Sequence, residues 1–406
     1  MMLRRHFEDT VRGIEEKLTA EPGEFVARKK LALALSRIGV KLYSGEHGVA
    51  WCGVLAPFDL LQAMDVTSCF VEFVGAMLAG TGTSAPFLER AEQWGMATDT
   101  CSYHRTVSGA MLAGMMPEPD FLIATSAPCT GGLAVIESLA RHFDRPLMVI
   151  HVPQDRDESS VRYLAKQLRE MVVFVERHTG RTLTDERLSA AIEHTNRIRE
   201  LMVEVNQLAA RTPTPARRRD LINLGIVIAL LLGTEEGVEV AEAYRDEFRR
   251  KVEQGIAGVP DERVRLMWIQ NRIQFKNPIE QMLEEEYGAA VVIDEFNDVP
   301  WEAIDPDDAY DGLARRILSN CLTGSAEHRV SAMQRLAREY QIDGAINPCH
   351  WGCRQGTGAR GLVEKGLNQI GVPVLNLEVD CVDQRPFAEA QLRTRLEAFI
   401  EMLQSR

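Results

Sequence analysis

The chain has no excess of positive charge. Its 406 residues carry 59 acidic and 46 basic side chains, a formal charge of −13, which argues against wrapping nucleic acid or lying on an anionic membrane as a main task. A polyanionic ligand would have to be met by a local basic site. A membrane-length apolar run is also missing. The most apolar stretch, 221–232 (LINLGIVIALLL), contains Asn223 and falls short of the roughly 20 residues a span needs, so it reads as a buried helix. The start, MMLRRHFED, turns acidic before an apolar core can form, and no signal peptide is expected. The eight cysteines, at 52, 69, 101, 129, 321, 349, 353 and 381, lack the dense spacing of a secreted disulfide scaffold and fit a reducing cytoplasm. The glycine clusters at 80–82 and 356–361 give neither a P-loop nor a dinucleotide-binding register. With 45% apolar and 26% charged residues, the composition excludes long disorder. At roughly 100–200 residues per domain the length corresponds to two or three domains.

Strands alternating with helices emerge from the pattern. The first 45 residues are charge-rich with helical spacing, too sparse in apolar positions to form a core alone. Short apolar runs at 49–55, 121–125 and 147–152 read as strands, with helical stretches at 58–64 and 132–143 between them. This is the signature of a parallel, right-handed α/β unit. A helical middle follows: Leu188, Ile192, Thr195, Ile198, Leu201, Met202, Val205 and Leu208 keep helical spacing, with Thr184 or Asp185 as N-cap. Two prolines interrupt it at 211–220. The α/β logic then repeats, with strands at 289–295, 344–347 and 372–378 and helices at 326–340 and 361–370. The expected fold is α/β: two Rossmann-like, doubly wound parallel-sheet domains joined by a helical middle region. The first spans 1–210, including the N-terminal helices and a helical extension, and the second spans 211–406.

Ligands of open α/β sheets bind beyond the carboxyl ends of the strands, which draws attention to particular cysteines. Cys129 lies in SAPCTGG, after the strand ending at Thr125 and before a helix. Cys349 and Cys353 lie in NPCHWGCRQ, again after a strand, and Cys101 opens CSYHR in a polar break before an apolar helix. A helix N-terminus lowers a cysteine pKa and offers unpaired N–H groups, so thiolates there suit soft metals, and several such loops converging would hold iron–sulfur or zinc. The alternative for any one cysteine is that of a small buried hydrophobe. There is no paired CxxC framework; Cys52, Cys69 and Cys321 have core-like surroundings, and Cys381, after a strand, is undecided. Ser102 and His104 are too close in sequence to face one another and show no acid partner, so a hydrolase is not indicated.

The segments GAINPCHWGC (344–353), GVPVL (371–375), EVDCVD (378–383) and the tail QLRTRLEAFIEML (391–403) resemble the 2-hydroxyacyl-CoA dehydratase D-component family, which includes benzoyl-CoA reductase subunits. The stretch 53–66 and the loops of Cys101 and Cys129 extend the likeness over nearly the whole chain; it is weakest between about 153 and 263. The resemblance implies a [4Fe-4S] cluster at the interface of the two domains, held by Cys101, Cys129 and Cys353, one from each of three loops. The resemblance also selects Cys353 over Cys349, because the distance from Cys353 to the strand start at 371–373 matches the family's spacing. Three thiolates on four irons leave one iron with an exchangeable site.

The resemblance further implies an ATP-hydrolysing iron–sulfur activator that injects one low-potential electron, a ketyl radical on a 2-hydroxyacyl-CoA, and expulsion of its hydroxyl. In the related branch an aromatic acyl-CoA ring is reduced instead. Where the family carries an acidic residue after a proline, this chain reads PFDLL (57–61), so Asp59 would be the acid/base carboxylate; the alternative is a carboxylate that merely favours a helix N-terminus. Arg105 would bind a thioester or CoA phosphate, or form a surface ion pair. Rival readings are a double-cubane reductase, to which Cys349 or Cys381 would contribute, and a non-catalytic electron-carrying subunit. The expected partners are an acyl-CoA, a homologous subunit or second copy, and the activator, with no nucleic acid and no membrane, in an anaerobic cytoplasm.

Overall fold

A computed structural model describes residues 2–20, 23 and 25–406. Two parallel four-stranded sheets organise the described residues. The first holds β1 (Gly48–Cys52), β2 (Val66–Phe70), β3 (Phe121–Thr125) and β4 (Leu147–Ile150) in the order β2-β1-β3-β4. The second holds β5 (Val264–Trp268), β6 (Ala289–Asp294), β7 (Gly344–His350) and β8 (Val374–Val379) in the order β6-β5-β7-β8. The two orders are the same when counted from the first strand of each sheet, so the expected pair of Rossmann-like units is what forms. Near-continuous aliphatic strands such as AAVVID, buried at every position of β6, are what helices on both faces of a sheet demand.

The helices fall close to their expected places. Thr184 caps Asp185–Ala209, its hydroxyl accepting the Arg187 N–H at 3.3 Å. The apolar run at 221–232 lies mostly in the helix Arg218–Leu230, and no helix among the described residues is long and apolar enough to cross a membrane. Chain halves and cores do not coincide. Leu313, Ala314, Ile317 and Leu318 of the helix Ala309–Ser319 pack into the core of β1 and β3, whereas Ala27, Leu31 and Ala34 of the helix Val26–Leu42 join the core around β5.

Three differences from the sequence reading bear on the site. β2 (VTSCF) was not expected; it is an edge strand with two hydroxyl residues. β5 (VRLMW) was also unexpected, because Arg265 breaks its apolar run. Its guanidinium is compensated by Glu262 and by the carbonyls of Tyr340 and Ala210 at 3.0 Å each, so the charge is buried at a modest cost. Finally, β7 continues to His350 rather than ending at Asn347. Pro348 is tolerated there because the β5–β7 ladder has already ended at Ile346, where a missing N–H costs no bond. Cys349 therefore lies in a strand, not in a loop.

Candidate functional site

The carboxyl ends of the two sheets meet, and three thiols come together between them. Cys101, Cys129 and Cys353 are the N-cap residues of the helices Ser102–Leu112, Thr130–Phe143 and Arg354–Gly358. Burial raises the Cys101 thiol above its ordinary range, with Cys353 and Cys129 raising it further, while the N–H groups of Tyr103 and His104 act the other way. Burial likewise raises Cys129, opposed by the N–H groups of Gly132 and Gly131, and Cys353 again pushes it up. The helix N-termini do favour the thiolates as expected, but desolvation outweighs them in a site without a cation. Close approach is built in at Gly352, whose φ is +75° and where a Cβ would stand 2.6 Å from the Cys101 nitrogen. Only glycine brings the two loops this near.

The remaining cysteines separate into two groups. Cys349 Sγ faces the Asn347 carbonyl at 3.6 Å and Asn376 at 3.7 Å. Cys52, Cys69 and Cys321 are buried; desolvation pushes Cys69 up to about 12. Cys381 is fully buried behind the trio, close enough for Cys353 and Cys101 to raise it further.

Residues other than the cysteines complete the surroundings. His350 ends β7; its Nε2 lies 3.4 Å from Cys101 Sγ, and its Nδ1 accepts the Cys381 N–H at 3.0 Å. Burial pushes its pKa below the ordinary histidine range, in keeping with an Nδ1 that accepts and so carries no proton. Gln270 Nε2 lies 3.2 Å from Cys353 Sγ. On the other side, Glu72 Oε1 is 3.5 Å from His104 Nε2, so His104 does have an acid partner, brought by the first turn of the helix Val71–Gly80 that follows β2. Glu72 Oε2 and His104 Nδ1 are buried with no hydrogen-bond partner among the described residues. Glu72 and Cys129 line one narrow cleft with Gly53, Val54, Leu133 and Ile136. Glu72 and Gln270 each stand two residues past the ends of β2 and β5, the two unexpected strands, and strand-end position was the signal that would have found them.

Asp59 has a different setting. Arg316 Nη2 contacts its Oδ1 at 2.9 Å and Oδ2 at 2.8 Å, Thr195 donates to Oδ2 at 3.3 Å, and the carboxylate is buried at 1% exposure. Arg105 is ion-paired, but not at the surface: Glu92, Asp383 and Asp380 hold it, with the Thr100 carbonyl on Nε at 2.9 Å. Ser102, adjacent to Cys101, donates to Asp380 at 2.6 Å.

The model of a protein family, 2-hydroxyglutaryl-CoA dehydratase, D-component, matches residues 54–403, a span that takes in all three cysteine loops. The chain belongs to this family. Among curated proteins, the (R)-phenyllactyl-CoA dehydratase alpha subunit of Clostridium sporogenes is 23% identical over 381 residues, covering 89% of this chain and 91% of the relative. A benzoyl-CoA reductase subunit of Thauera aromatica is 24% identical over 377 residues, covering 85% and 86%. The lactoyl-CoA dehydratase alpha subunit of Anaerotignum propionicum is 23% identical over 397 residues, covering 88% and 91%. All three relatives are named as subunits.

The donor set of this D-component chain can be tested against a cluster. Among the described residues no three His, Cys, Asp or Glu side chains are arranged to hold a single metal ion. A cubane makes a different demand, since each thiolate binds a different iron and the ligands stand further apart than those of one ion. Three N-capping thiols, of which Cys101 and Cys129 lie where burial disfavours uncompensated negative charge, beside the unsatisfied Glu72 and His104 atoms, fit such a group.

Proposed function

We propose that the chain is the iron–sulfur subunit of a 2-hydroxyacyl-CoA dehydratase, with Cys101, Cys129 and Cys353 holding a [4Fe-4S] cluster. Bound there, the cluster supplies a low-potential electron and, with three protein thiolates for four irons, one position open to an oxygen ligand. The observation that carries the reading is the convergence of three helix-capping thiols with an unpartnered carboxylate oxygen in the cleft that Cys129 shares. Family membership and the dehydratase relatives support it.

The net reaction removes an α-hydroxyl and a β-proton as water, and the chain's task is to hold the acyl group and move that proton. Glu72, with Oε2 free, takes the proton; His104, facing Oε1 at 3.5 Å, orients the carboxylate and shares the load. Val54, Leu133 and Ile136 keep bulk water from the reacting carbon. Asp59, the carboxylate expected from the sequence, is held by Arg316 and Thr195, and the proposal leaves it to that ion pair. We keep the division of the chain at 210/211, beside the proline loop, with the helices Val26–Leu42 and Ala309–Ser319 each packing on the core of the opposite half. The working assembly adds an acyl-CoA, a homologous subunit or second copy, and an ATP-driven iron–sulfur activator. An anaerobic cytoplasm suits so oxygen-sensitive a group.

The test is iron and sulfide analysis with EPR on anaerobically purified protein, followed by turnover with partner and activator. About four irons per chain are expected; about eight would favour a double cubane instead. Cys353→Ser should lose the cluster absorbance and EPR signal, while Cys69→Ser and Cys321→Ser keep both. A normal cluster in the Cys353 variant refutes the ligand set. The benzoyl-CoA reductase relative matches as well as the dehydratases, so a 2-hydroxyacyl-CoA and an aromatic acyl-CoA are both offered. Reduction of the ring without dehydration selects the reductase, and turnover of neither selects an electron carrier.

A further inference from the structure

We propose that Gln270 and His350 are positioning residues that donate hydrogen bonds to the sulfurs of Cys353 and Cys101 and thereby set the reduction potential of the cluster. The inference rests on the ligand reading above and deepens it.

Gln270 lies two residues past β5 with φ +54°, a left-handed conformation that side chains other than glycine seldom adopt and that persists where the surroundings enforce it. Its backbone N–H donates to Glu295 Oε2 at 3.0 Å, and its Oε1 accepts from Arg329 Nη2 at 2.9 Å. Arginine has no acceptor, so the amide oxygen must face Arg329 and the NH₂ must face Cys353 Sγ, 3.2 Å away. Arg329 is itself fixed by Glu295 through contacts of 2.7 and 2.8 Å. Gln270, Arg329 and Glu295 are all buried. Gly356 leaves the amide its space: a Cβ there would come within 2.5 Å of both its nitrogen and its oxygen.

His350 reaches Cys101 by an independent route. The Cys381 N–H occupies Nδ1 at 3.0 Å, so the ring proton sits on Nε2, directed at Cys101 Sγ at 3.4 Å. The loop providing that N–H is tied by Asp380, whose Oδ1 accepts from Val382 and Asp383 nitrogens at 2.8 and 2.7 Å and from Ser102 at 2.6 Å. The Tyr103 ring stands edge-on to the imidazole at 5.4 Å. Two ligand sulfurs thus have preset side-chain donors.

Reduction adds negative charge to the cluster and its thiolates, and an N–H aimed at sulfur stabilises that added charge, so each donor raises the potential. Losing one bond should change the reduced-to-oxidised ratio at a fixed potential by about tenfold, or 59 mV for one electron. The experiment is an EPR-monitored redox titration of the anaerobic, iron-loaded protein, with iron counted in each sample. Gln270→Leu and His350→Leu should keep their iron and shift the midpoint negative. Gln270→Glu keeps the size and the Arg329 contact, and should shift it negative too; His350→Gln retains a donor and should stay near the native value. Should a leucine variant lose iron, the Glu and Gln variants decide. Iron-loaded Gln270→Leu, Gln270→Glu or His350→Leu with an unchanged midpoint, or His350→Gln shifting as far as His350→Leu, would overturn the inference alone. A wild-type protein without iron would overturn the ligand reading, and this one with it.

Discussion

Asp59→Asn separates two roles for a carboxylate that the sequence marks as an acid/base and the structure surrounds with an ion pair. Asp59 is 1% exposed and receives Arg316 Nη2 on both oxygens, at 2.9 and 2.8 Å. The Arg316 side chain is 14% exposed, and its Nε has no hydrogen-bond partner among the described residues. Asparagine keeps the shape and one acceptor but removes the charge that compensates this guanidinium. Breaking a buried pair from one side costs about 3–5 kcal/mol. At about 2–4 °C per kcal/mol for a domain near 200 residues, the melting temperature should fall by about 6–20 °C. Differential scanning calorimetry on the anaerobic protein measures the shift, and turnover per cluster is followed below the transition. Replacing both partners by leucine removes the uncompensated charge, so the double variant should be more stable than Asp59→Leu alone. The reasoning is refuted if Asp59→Asn leaves the melting temperature within about 2 °C of the native value, while turnover per cluster falls by about 10²-fold or more, the scale of a lost general base.

Glu72→Gln should show the converse pattern, with the iron content and melting temperature held and turnover reduced by about 10²–10⁴-fold; undiminished turnover would remove Glu72 from proton transfer. Glu284 gives a pH test at a carboxyl buried against the start of the helix Arg218–Leu230. Burial raises its carboxyl from 4.5 to about 7, so the folded chain holds that proton more tightly than the unfolded one. The resulting stability is present below about 4.5 and is lost as pH rises through 7, by about 3 kcal/mol in all. Glu284→Gln, which still accepts the Arg218 N–H, should match the native urea midpoint at pH 4.5 and exceed it at pH 8, and equal midpoints at both would contradict the assignment.

What could be read from the sequence follows from burial. Aliphatic runs such as 289–294 and 121–125 announce strands because both faces of a parallel sheet are covered. VTSCF and VRLMW stayed hidden because an edge strand accepts hydroxyls and because Arg265 finds Glu262 and two carbonyls in the fold. The consequence reached the site. Glu72 and Gln270 sit just past those two strands, so missing the strands meant missing the residues. The cysteine loops, by contrast, were legible as strand-end and helix-start positions without any knowledge of their partners. Which distant groups face each sulfur was not legible, since Cys101 and His350 are 249 residues apart and Cys353 and Gln270 are 83 apart.

The acidic chain makes its local positive environment from oriented groups and not from net charge. Three helix N-termini, two N–H donors and the buried Arg329 surround the thiols, and such fixed dipoles need no rearrangement when charge arrives. Their aim depends on how the two sheets are held together. Arg105, from the helix that Cys101 caps, is clasped by Asp380 and Asp383 beyond β8 and by Glu92, which also binds Arg385 at 2.6 Å. Ser102 adds its bond to Asp380. A buried network of this kind is satisfied in one arrangement only, because any slip strands a charge. The distance from His350 to Cys101 is therefore fixed by the interface and by neither sheet alone, so the donor placement proposed above would be lost if the two units slipped.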